Sequence, residues 1–320
     1  MGQIKDITQH ASNPRIVRYA ELQPCHDAFI DTRTPGSDKK ENFTIIGPGV
    51  SENPNQYVHI AEPHGFNIGG ARQPANCVNS QHSHDTAEVF FIHKGRWAFR
   101  TGETGEDAEV ILEPGDIISI PTGVFRGFEN IGDDIGFLWG ILGGDDPGRV
   151  LWAPYVFDMA KDYGLILMEN GNLIDTGKGE TIPSGQNPMP VTSRKQVEAL
   201  SKFSNKQLRE CCITADEEVI SLSQGGLSER KLIGLDTKLN WPHGFMVNHM
   251  TLDPDAATDE ISYLGSEVLF VQSGELTVKL KQETWHLFAG DTASIPKGAS
   301  RQFLNASNEP AKFIQVRGDV

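Results

Sequence analysis

The sequence predicts an all-β protein of two similar barrels in tandem, joined by a partly helical linker. Three observations predict this fold. The chain has 320 residues, enough for two domains of ~150 residues each. Its 33 glycines and 18 prolines supply the many tight turns that an all-β protein needs. Segments of the first half also recur, in the same order, in the second half.

The recurrence is regular along the chain. Pro-His-Gly-Phe stands at 63–66 and again at 242–245, an offset of 179 residues, and Glu88 matches Glu267 at the same offset. Further along, Arg126 matches Arg301 at an offset of 175. The second copy has therefore lost four residues, which we place in the loop near residues 101–107. An ordered series of matches indicates an internal duplication.

Each copy has the pattern of short strands. The apolar runs 89–92 and 268–271 are bounded by polar residues, as expected of buried strands. Apolar and polar residues then alternate at 95–100 and 276–280. Gly-Asp and Pro-x-Gly segments supply turns between these runs. Many short antiparallel strands of this kind indicate a sandwich or a barrel.

Between the copies the pattern changes. Residues 156–164 fit one short helix that ends at a glycine, and residues 193–212 have helical spacing with Ser193 as the N-cap. We expect the first 45 residues to run across the partner barrel or a neighbouring subunit. The predicted parts are an N-terminal extension at 1–45, an N-terminal barrel at 46–150, a linker with short helices at 151–215 and a C-terminal barrel at 216–320.

Charge and composition limit the expected partners and location. The formal net charge is -15 and the pI about 5.1, and a chain this acidic repels phosphate backbones, so we expect no nucleic-acid partner. The first residues lack the apolar core of a signal peptide. No apolar run reaches the ~18 residues needed to cross a bilayer, so we expect no membrane partner. A cytoplasmic location is expected because no Cys-x-x-Cys pair occurs among Cys25, Cys77, Cys211 and Cys212.

Two linked motifs in the first copy combine histidine, glutamate, glycine and proline at fixed spacing. They comprise His82-Ser83-His84, Glu88 and Gly95, then Gly115, Pro121, Gly123, Arg126 and Asn130. This pair of motifs resembles that of the cupin superfamily, whose members are RmlC-like jelly rolls, or double-stranded β-helix barrels. With two copies, the chain resembles the bicupin metal-dependent dioxygenases. The resemblance implies a metal bound by the two histidines and the glutamate of the first motif.

The chain departs from the family pattern at several positions. Arg126 stands where the second motif has a histidine that supplies the usual fourth ligand, and Asn76 stands where the first motif opens with glycine. In the second copy, Glu267 alone remains of the four ligand positions. The other three hold Ile261, Tyr263 and Arg301. The C-terminal barrel is therefore predicted to be degenerate and to hold no metal.

The first copy can still form a metal site. Residues i and i+2 of a strand face the same side, so His82 and His84 present two imidazoles to the barrel interior. Glu88 adds a carboxylate, and two histidines with one carboxylate are the ligand set of non-haem Fe(II) oxygenases. The sequence therefore predicts a divalent metal, with Fe(II) favoured and Mn, Ni or Zn as alternatives. His64 is a further candidate for the fourth ligand, although His243 occupies the matching place in the copy without a site.

Arg126 allows two interpretations. A guanidinium cannot bind a metal, but beside one it can orient the acidic group of a substrate, which would make Arg126 a catalytic residue. Alternatively, Arg126 forms an internal ion pair with Glu88 and displaces the metal. The joint survival of Glu267 and Arg301 in the second copy supports this alternative.

Three functions are consistent with these residues. The first is an oxidoreductase, an Fe(II) dioxygenase acting on a small anionic or aromatic substrate. The second is a metal-dependent isomerase, lyase or decarboxylase of a sugar acid or keto acid. The third is a binding protein for a small molecule, without catalysis. The resemblance also implies a homodimer.

Overall fold

The computed structural model describes residues 13–318 and confirms the all-β fold of two tandem barrels. The first half contains β1 (Ile16–Val17), β2 (Glu41–Ile46), β3 (Val58–Ile60), β4 (Phe66–Gln73), β5 (Cys77–Ser83), β6 (Glu88–Lys94), β7 (Trp97–Thr101), β8 (Ala108–Leu112), β9 (Ile117–Ile120), β10 (Arg126–Asn130), β11 (Gly136–Gly143) and β12 (Leu151–Trp152). The linker contains α1 (Pro154–Asp162), β13 (Leu165–Leu167), β14 (Leu173–Asp175), α2 (Arg194–Ala199), α3 (Asn205–Glu210) and β15 (Cys212–Ile213).

The second half contains the remaining strands. These are β16 (Ser221–Gln224), β17 (Leu227–Ile233), β18 (Phe245–Leu252), β19 (Glu267–Ser273), β20 (Glu275–Leu280), β21 (Thr284–Phe288), β22 (Thr292–Ile295), β23 (Arg301–Leu304) and β24 (Ala311–Gly318). Short 3-10 turns occur at Tyr19–Glu21 and Thr176–Lys178.

The N-terminal barrel is built from two sheets. One has seven strands in the order β15-β9-β6-β11-β4-β2-β3, and the other has five in the order β12-β5-β10-β7-β8. Alternate side chains of each strand point to the same face. Phe90 packs against Phe99 and Phe128 with ring centroids 5.5 Å and 5.1 Å away, so strands of both sheets contribute to one aromatic core.

The C-terminal barrel repeats one of these sheets and shortens the other. Its larger sheet has seven strands in the order β1-β22-β19-β24-β18-β17-β16, and its smaller sheet has three in the order β21-β20-β23. No strand in the described part of this barrel corresponds to β5. At the equivalent place, Ala257 and Ile261 form isolated bridges to Leu304 and Arg301. The second copy has therefore lost the strand that carries His82 in the first.

The two barrels exchange a short strand with each other. β1 precedes the N-terminal barrel but pairs with β22 of the C-terminal barrel, where Ile16 lies opposite Ala293. β15 precedes the C-terminal barrel but pairs with β9 of the N-terminal barrel, where Cys212 lies opposite Ile118. Ile118 and Ala293 are equivalent positions of the repeat. The exchange is therefore symmetrical, and each barrel's sheet edge is covered by the segment that enters the other barrel.

The repeated Pro-His-Gly-Phe segment lies at the same interface. His64 Nε2 is 2.7 Å from Ser294 Oγ in the opposite barrel, and His64 Nδ1 donates to the Glu62 carbonyl at 2.6 Å. In the second copy, His243 Nε2 is 2.7 Å from Ser119 Oγ. Both histidines are buried. Ser119 and Ser294 are themselves equivalent, so the repeated motif forms two symmetrical contacts between barrels.

The opening position of the first motif has a conformational role. Asn76 has φ 60°, and the equivalent residue of the second copy, Asp255, has φ 55°. Glycine adopts this left-handed region without cost, and asparagine and aspartate tolerate it better than other residues. The replacement of the motif's glycine by Asn76 therefore keeps the turn that leads into β5.

The linker differs from the prediction in one respect. The segment 193–212 forms two helices, α2 and α3, instead of one. Leu200 leaves the helical conformation with φ -82° and ψ 148°, and Ser204 then starts α3 with its own capping box to Gln207. Ser193 caps α2 in the same way, as predicted. A second capping box so soon after the first favours a new helix over continuation of the old one.

Candidate metal centre

The fold brings the three candidate ligands of the first motif together. His82 lies near the end of β5, His84 directly follows that strand, and Glu88 is the first residue of β6. β5 pairs with β10, whose first residue, Arg126, lies opposite His82. On its other edge β5 pairs with β12, where Trp152 lies opposite His82. The site is thus held by three adjacent strands of one sheet and by the start of β6 in the other.

The ligand atoms are close enough to share one cation. One nitrogen of each histidine and one carboxylate oxygen of Glu88 all lie within 4.8 Å of one another. His84 Nε2 is 3.5 Å from Glu88 Oε1, and His82 Nε2 is 3.9 Å from Glu88 Oε2. All three side chains are buried. Within residues 13–318, no other group of three or more histidine, cysteine, aspartate or glutamate side chains has this geometry.

Hydrogen bonding orients His82 for metal binding. Its Nδ1 lies 2.7 Å from the carbonyl of Ser80, to which it can donate. This bond assigns the proton to Nδ1 and leaves the lone pair of Nε2 directed at Glu88 and His84. A metal-bound histidine commonly has its second nitrogen fixed in this way.

Burial and nearby charges keep the ligands in the protonation states that a cation requires. Burial, followed by the positive charge of Arg126, lowers the pKa of His82 well below its usual value and also lowers the pKa of His84. Burial alone would raise the pKa of Glu88, but Arg126 and the two histidines outweigh it and hold that pKa below its usual range. At neutral pH the site therefore offers two neutral imidazoles and one carboxylate, which fits a divalent cation.

Arg126 forms hydrogen bonds with two of the candidate ligand residues, Glu88 and His82. Its Nη2 and Nε donate to Glu88 Oε2 at 2.8 Å and 3.1 Å, and Nη1 donates to the His82 carbonyl at 3.4 Å. The side chain is fully buried and does not line the adjacent cavity. The ion pair with Glu88 is therefore present. It uses one carboxylate oxygen and leaves Oε1 beside His84.

The extension before the barrel also supports the site. Asp31 accepts a hydrogen bond from Ser80 N at 3.0 Å, and Lys40 donates to Asn79 Oδ1 at 3.1 Å. Asp31 and Lys40 form an ion pair with each other, and both side chains are completely buried. These contacts hold the part of β5 whose Ser80 carbonyl orients His82. Sequence reasoning missed both residues, because no motif or spacing links them to the site.

A cavity of about 80 Å³ adjoins the three candidate ligands. Phe29 comes from the extension and Trp152 from β12, and both line it although they lie outside the two motifs. The ring of Trp152 has its centroid 5.3 Å from that of His82, and its Nε1 donates to the buried carboxyl of Glu52 at 2.6 Å. No motif or spacing in the sequence marks Phe29 and Trp152 as wall residues.

The relationship to known proteins agrees with this architecture. A family model described as a cupin domain matches residues 71–139 and again residues 248–317. The two matches lie on the two barrels.

The chain is a bicupin. Structures of oxalate decarboxylase from Bacillus subtilis are similar to it. A deletion variant aligns with TM-score 0.60 at 13% identity, over 98% of this chain and 80% of that one. The enzyme at pH 4.6 aligns with TM-score 0.59 at 14% identity, over 97% and 77%. A third structure, concerned with the Mn(II) centres of that enzyme, gives TM-score 0.60 at 13% identity, over 98% and 80%. A search of curated protein sequences finds no match.

At this identity the likeness shows the shared fold of the bicupin. The His-His-Glu cluster itself could hold a divalent metal, and its geometry gives no preference for iron. No helix among residues 13–318 is long and apolar enough to cross a membrane.

His64 does not belong to the group of candidate ligands. Both of its ring nitrogens are hydrogen-bonded at the interface between the barrels, to the Glu62 carbonyl and to Ser294 Oγ. The structure places this candidate fourth ligand at the interface, where the repeated motif forms the same contact in both copies.

The C-terminal barrel of the bicupin keeps the ion pair without the histidines. Arg301 Nη2 donates to Glu267 Oε1 at 2.5 Å. Gln315 Nε2 and Arg317 Nε donate to the same oxygen at 2.7 Å and 3.1 Å. All three donors bind one oxygen of the carboxylate, and the buried Oε2 has no hydrogen-bond partner. Among residues 13–318, Glu267 belongs to no group of side chains that could hold a cation.

Proposed function

We propose that this bicupin is a metal-dependent enzyme that decarboxylates, or otherwise acts as a lyase on, a small organic acid. The observation that carries the proposal is the convergence of one ligand atom each from His82, His84 and Glu88, within 4.8 Å of one another, beside a mainly apolar cavity. A divalent cation bound there would supply Lewis-acid chemistry, polarising an oxygen of the substrate. The similarity to oxalate decarboxylase supports this class over the others.

The residues around the site have distinct tasks in this proposal. His82 and His84 supply neutral nitrogens, with the tautomer of His82 set by the Ser80 carbonyl. Arg126 acts as a positioning residue: its two bonds to Glu88 Oε2 keep the carboxylate ionised and aim Oε1 at the centre. The mainly apolar wall lowers the local polarity, which strengthens electrostatic interactions within the cavity. Arg126 does not line the cavity, so we assign it this role instead of direct contact with the substrate.

A dioxygenase remains the second candidate, with Fe(II) as its metal. One observation favours it: Arg126 occupies the place of the fourth cupin ligand and cannot coordinate a metal. Three protein ligands leave open positions for both a substrate and dioxygen, as in the enzymes with two histidines and one carboxylate. A homodimer and a cytoplasmic location stay predictions of the sequence.

Metal analysis of the purified protein tests the proposal. We expect about one equivalent of a divalent metal in the native protein and loss of that metal in a His82→Ala, His84→Ala double variant. The matched control is Ile261→Ala with Tyr263→Ala, which alters the equivalent positions of the C-terminal barrel. Equal metal content in the native protein and the histidine variant would contradict the metal site and favour a binding protein held by the Glu88–Arg126 pair.

A second measurement separates the two enzyme classes. The metal-loaded protein is incubated with small carboxylic and 2-oxo acids, with and without oxygen. Release of carbon dioxide without oxygen uptake indicates a decarboxylase. Stoichiometric oxygen uptake that depends on substrate and on Fe(II) indicates a dioxygenase and contradicts the first assignment.

A further inference from the structure

The wall of the N-terminal cavity carries no charge beyond the candidate ligands. Among the described residues that line it, His82, His84 and Glu88 are the only ionisable ones. The two buried cations of this region are committed elsewhere, Arg126 to Glu88 and Lys40 to Asp31. A negative charge on a bound ligand can therefore be neutralised at one place, the metal.

The rest of the wall is mainly apolar. Its large side chains are Phe29, Phe43, Phe90, Phe128, Leu142 and Trp152. Burying an unpaired carboxylate against such a wall is strongly unfavourable, whereas burying an alkyl or aryl group is favourable. The uncharged amides and hydroxyls in the lining, such as Asn42 and Thr44, cannot neutralise a second acid group.

We infer that the cavity takes a monoacid with an uncharged apolar tail, such as a branched-chain 2-oxo acid, in preference to a dicarboxylate or a sugar acid. The inference rests on the proposed function, because the acid group is assigned to the metal. The tail occupies the apolar part of the cavity. Specificity then comes from the tail, since every organic acid offers the same group to the metal.

The second barrel shows what a charged wall looks like in the same scaffold. Leu142 of the first cavity is equivalent to Arg317, and Gly140 is equivalent to Gln315. Both residues of the second barrel reach Glu267, at 3.1 Å and 2.7 Å. The fold therefore accommodates a cation at this wall position, and the first barrel carries leucine there.

Isothermal titration of the Zn2+-loaded protein tests the inference without turnover. The two probes are 4-methyl-2-oxopentanoate and 2-oxoglutarate, which share a 2-oxo acid head and differ in an isobutyl or a carboxyethyl tail of similar size. We expect a Kd at least roughly tenfold lower for 4-methyl-2-oxopentanoate. Equal or tighter binding of 2-oxoglutarate overturns the inference, as does binding of neither acid. Failure to bind Zn2+ itself overturns the proposed function instead.

A charged variant tests the location of the tail. Val150 is half-buried in the cavity wall, and Val150→Lys introduces a cation there. We expect the affinity for 2-oxoglutarate, relative to that for 4-methyl-2-oxopentanoate, to rise by roughly tenfold or more. Ile135→Lys is the control, because Ile135 is 60% exposed and lies outside the lining. This variant should leave the ratio of the two Kd values unchanged, and an unchanged ratio in Val150→Lys would overturn the inference.

A conservative variant covers the case in which Val150→Lys does not fold. Val150→Thr keeps the shape of the side chain and adds one hydroxyl. It should weaken 4-methyl-2-oxopentanoate binding a few-fold and leave 2-oxoglutarate binding unchanged. The same loss for both acids would contradict a tail site at this wall.

Discussion

The two barrels keep the same buried ion pair and use it differently. In the N-terminal barrel, Arg126 binds one oxygen of Glu88, and the other oxygen faces His84 at 3.5 Å. In the C-terminal barrel, Arg301 pairs with Glu267, and no histidine stands at the positions equivalent to His82 and His84. The ion pair is therefore an inherited feature of the duplicated unit. It does not by itself decide whether a barrel can hold a metal.

The difference lies in what surrounds the pair. The first barrel has the full strand β5, with the extension bonded along it through Asp31 and Lys40. The second has isolated bridges at that place, and Gln315 and Arg317 reach the carboxylate instead. The second barrel thus lacks the strand that carries His82 in the first, and its Gln315 and Arg317 side chains occupy the wall beside the carboxylate. One scaffold thus yields a candidate metal site in one copy and, in the other, a carboxylate bound by three donors.

Neutralising the glutamate of each barrel should give the largest contrast. Glu88→Gln removes one of three candidate ligands and the charge partner of Arg126, so we expect metal affinity to fall by on the order of 100-fold or more. Glu267→Gln should leave metal affinity unchanged. Metal titration of both variants measures this. Unchanged metal affinity in Glu88→Gln would place the metal outside the first barrel.

Restoring the family's histidine should have the next largest effect. Arg126→His removes a cation from beside the metal and supplies a fourth ligand, so we expect metal affinity to rise by roughly tenfold or more. Arg301→His, the matched change in the second barrel, should create no site because no other ligands are present there. A fall in affinity for Arg126→His would mean that holding Glu88 in place matters more than removing the charge.

The sequence was sufficient for those features that depend on local spacing. The duplication, the strands and the grouping of His82, His84 and Glu88 follow from offsets and from the alternation of side chains along a strand. The second capping box, Ser204 with Gln207, obeys the same kind of spacing rule, but the sequence analysis did not predict it.

Other features depend on contacts between distant segments. Asp31, Lys40, Phe29 and Trp152 reach the site through the packing of the extension and of β12, and no periodicity or motif marks them. The direction of Arg126 likewise follows from the register of β10 against β5, which places it opposite His82. His64 became a candidate ligand because its segment precedes a strand, whereas its recurrence as His243 in the copy without a site indicated shared structure. Both histidines bind serines of the opposite barrel.

The extension provides a subtler test of the difference between barrels. Lys40→Met removes the charge that pairs with Asp31 and the donor to Asn79, while keeping most of the side-chain volume. We expect metal affinity to fall by roughly three- to tenfold. The variant weakens the support of Ser80, whose carbonyl orients His82, while the ligand His82 itself remains. The electron paramagnetic resonance spectrum of Mn2+ bound to the variant should also change. A variant that loses stability without either change would limit Lys40 to a structural role.

Substitutions at the interface between the barrels should have the smallest effect. Unlike the substitutions of Glu88 and Glu267, they should affect the two copies equally. Ser294→Ala deprives His64 of its partner, and Ser119→Ala does the same to His243. Each should lower the free energy of unfolding by about 1 kcal/mol, the usual cost of a lost hydrogen bond. Ser294 also lies 3.4 Å from Arg15 Nη1, a contact too long to add much. Denaturant titration of both variants would detect asymmetry, and a clearly unequal loss would show that the duplicated contacts have diverged as the two sites have.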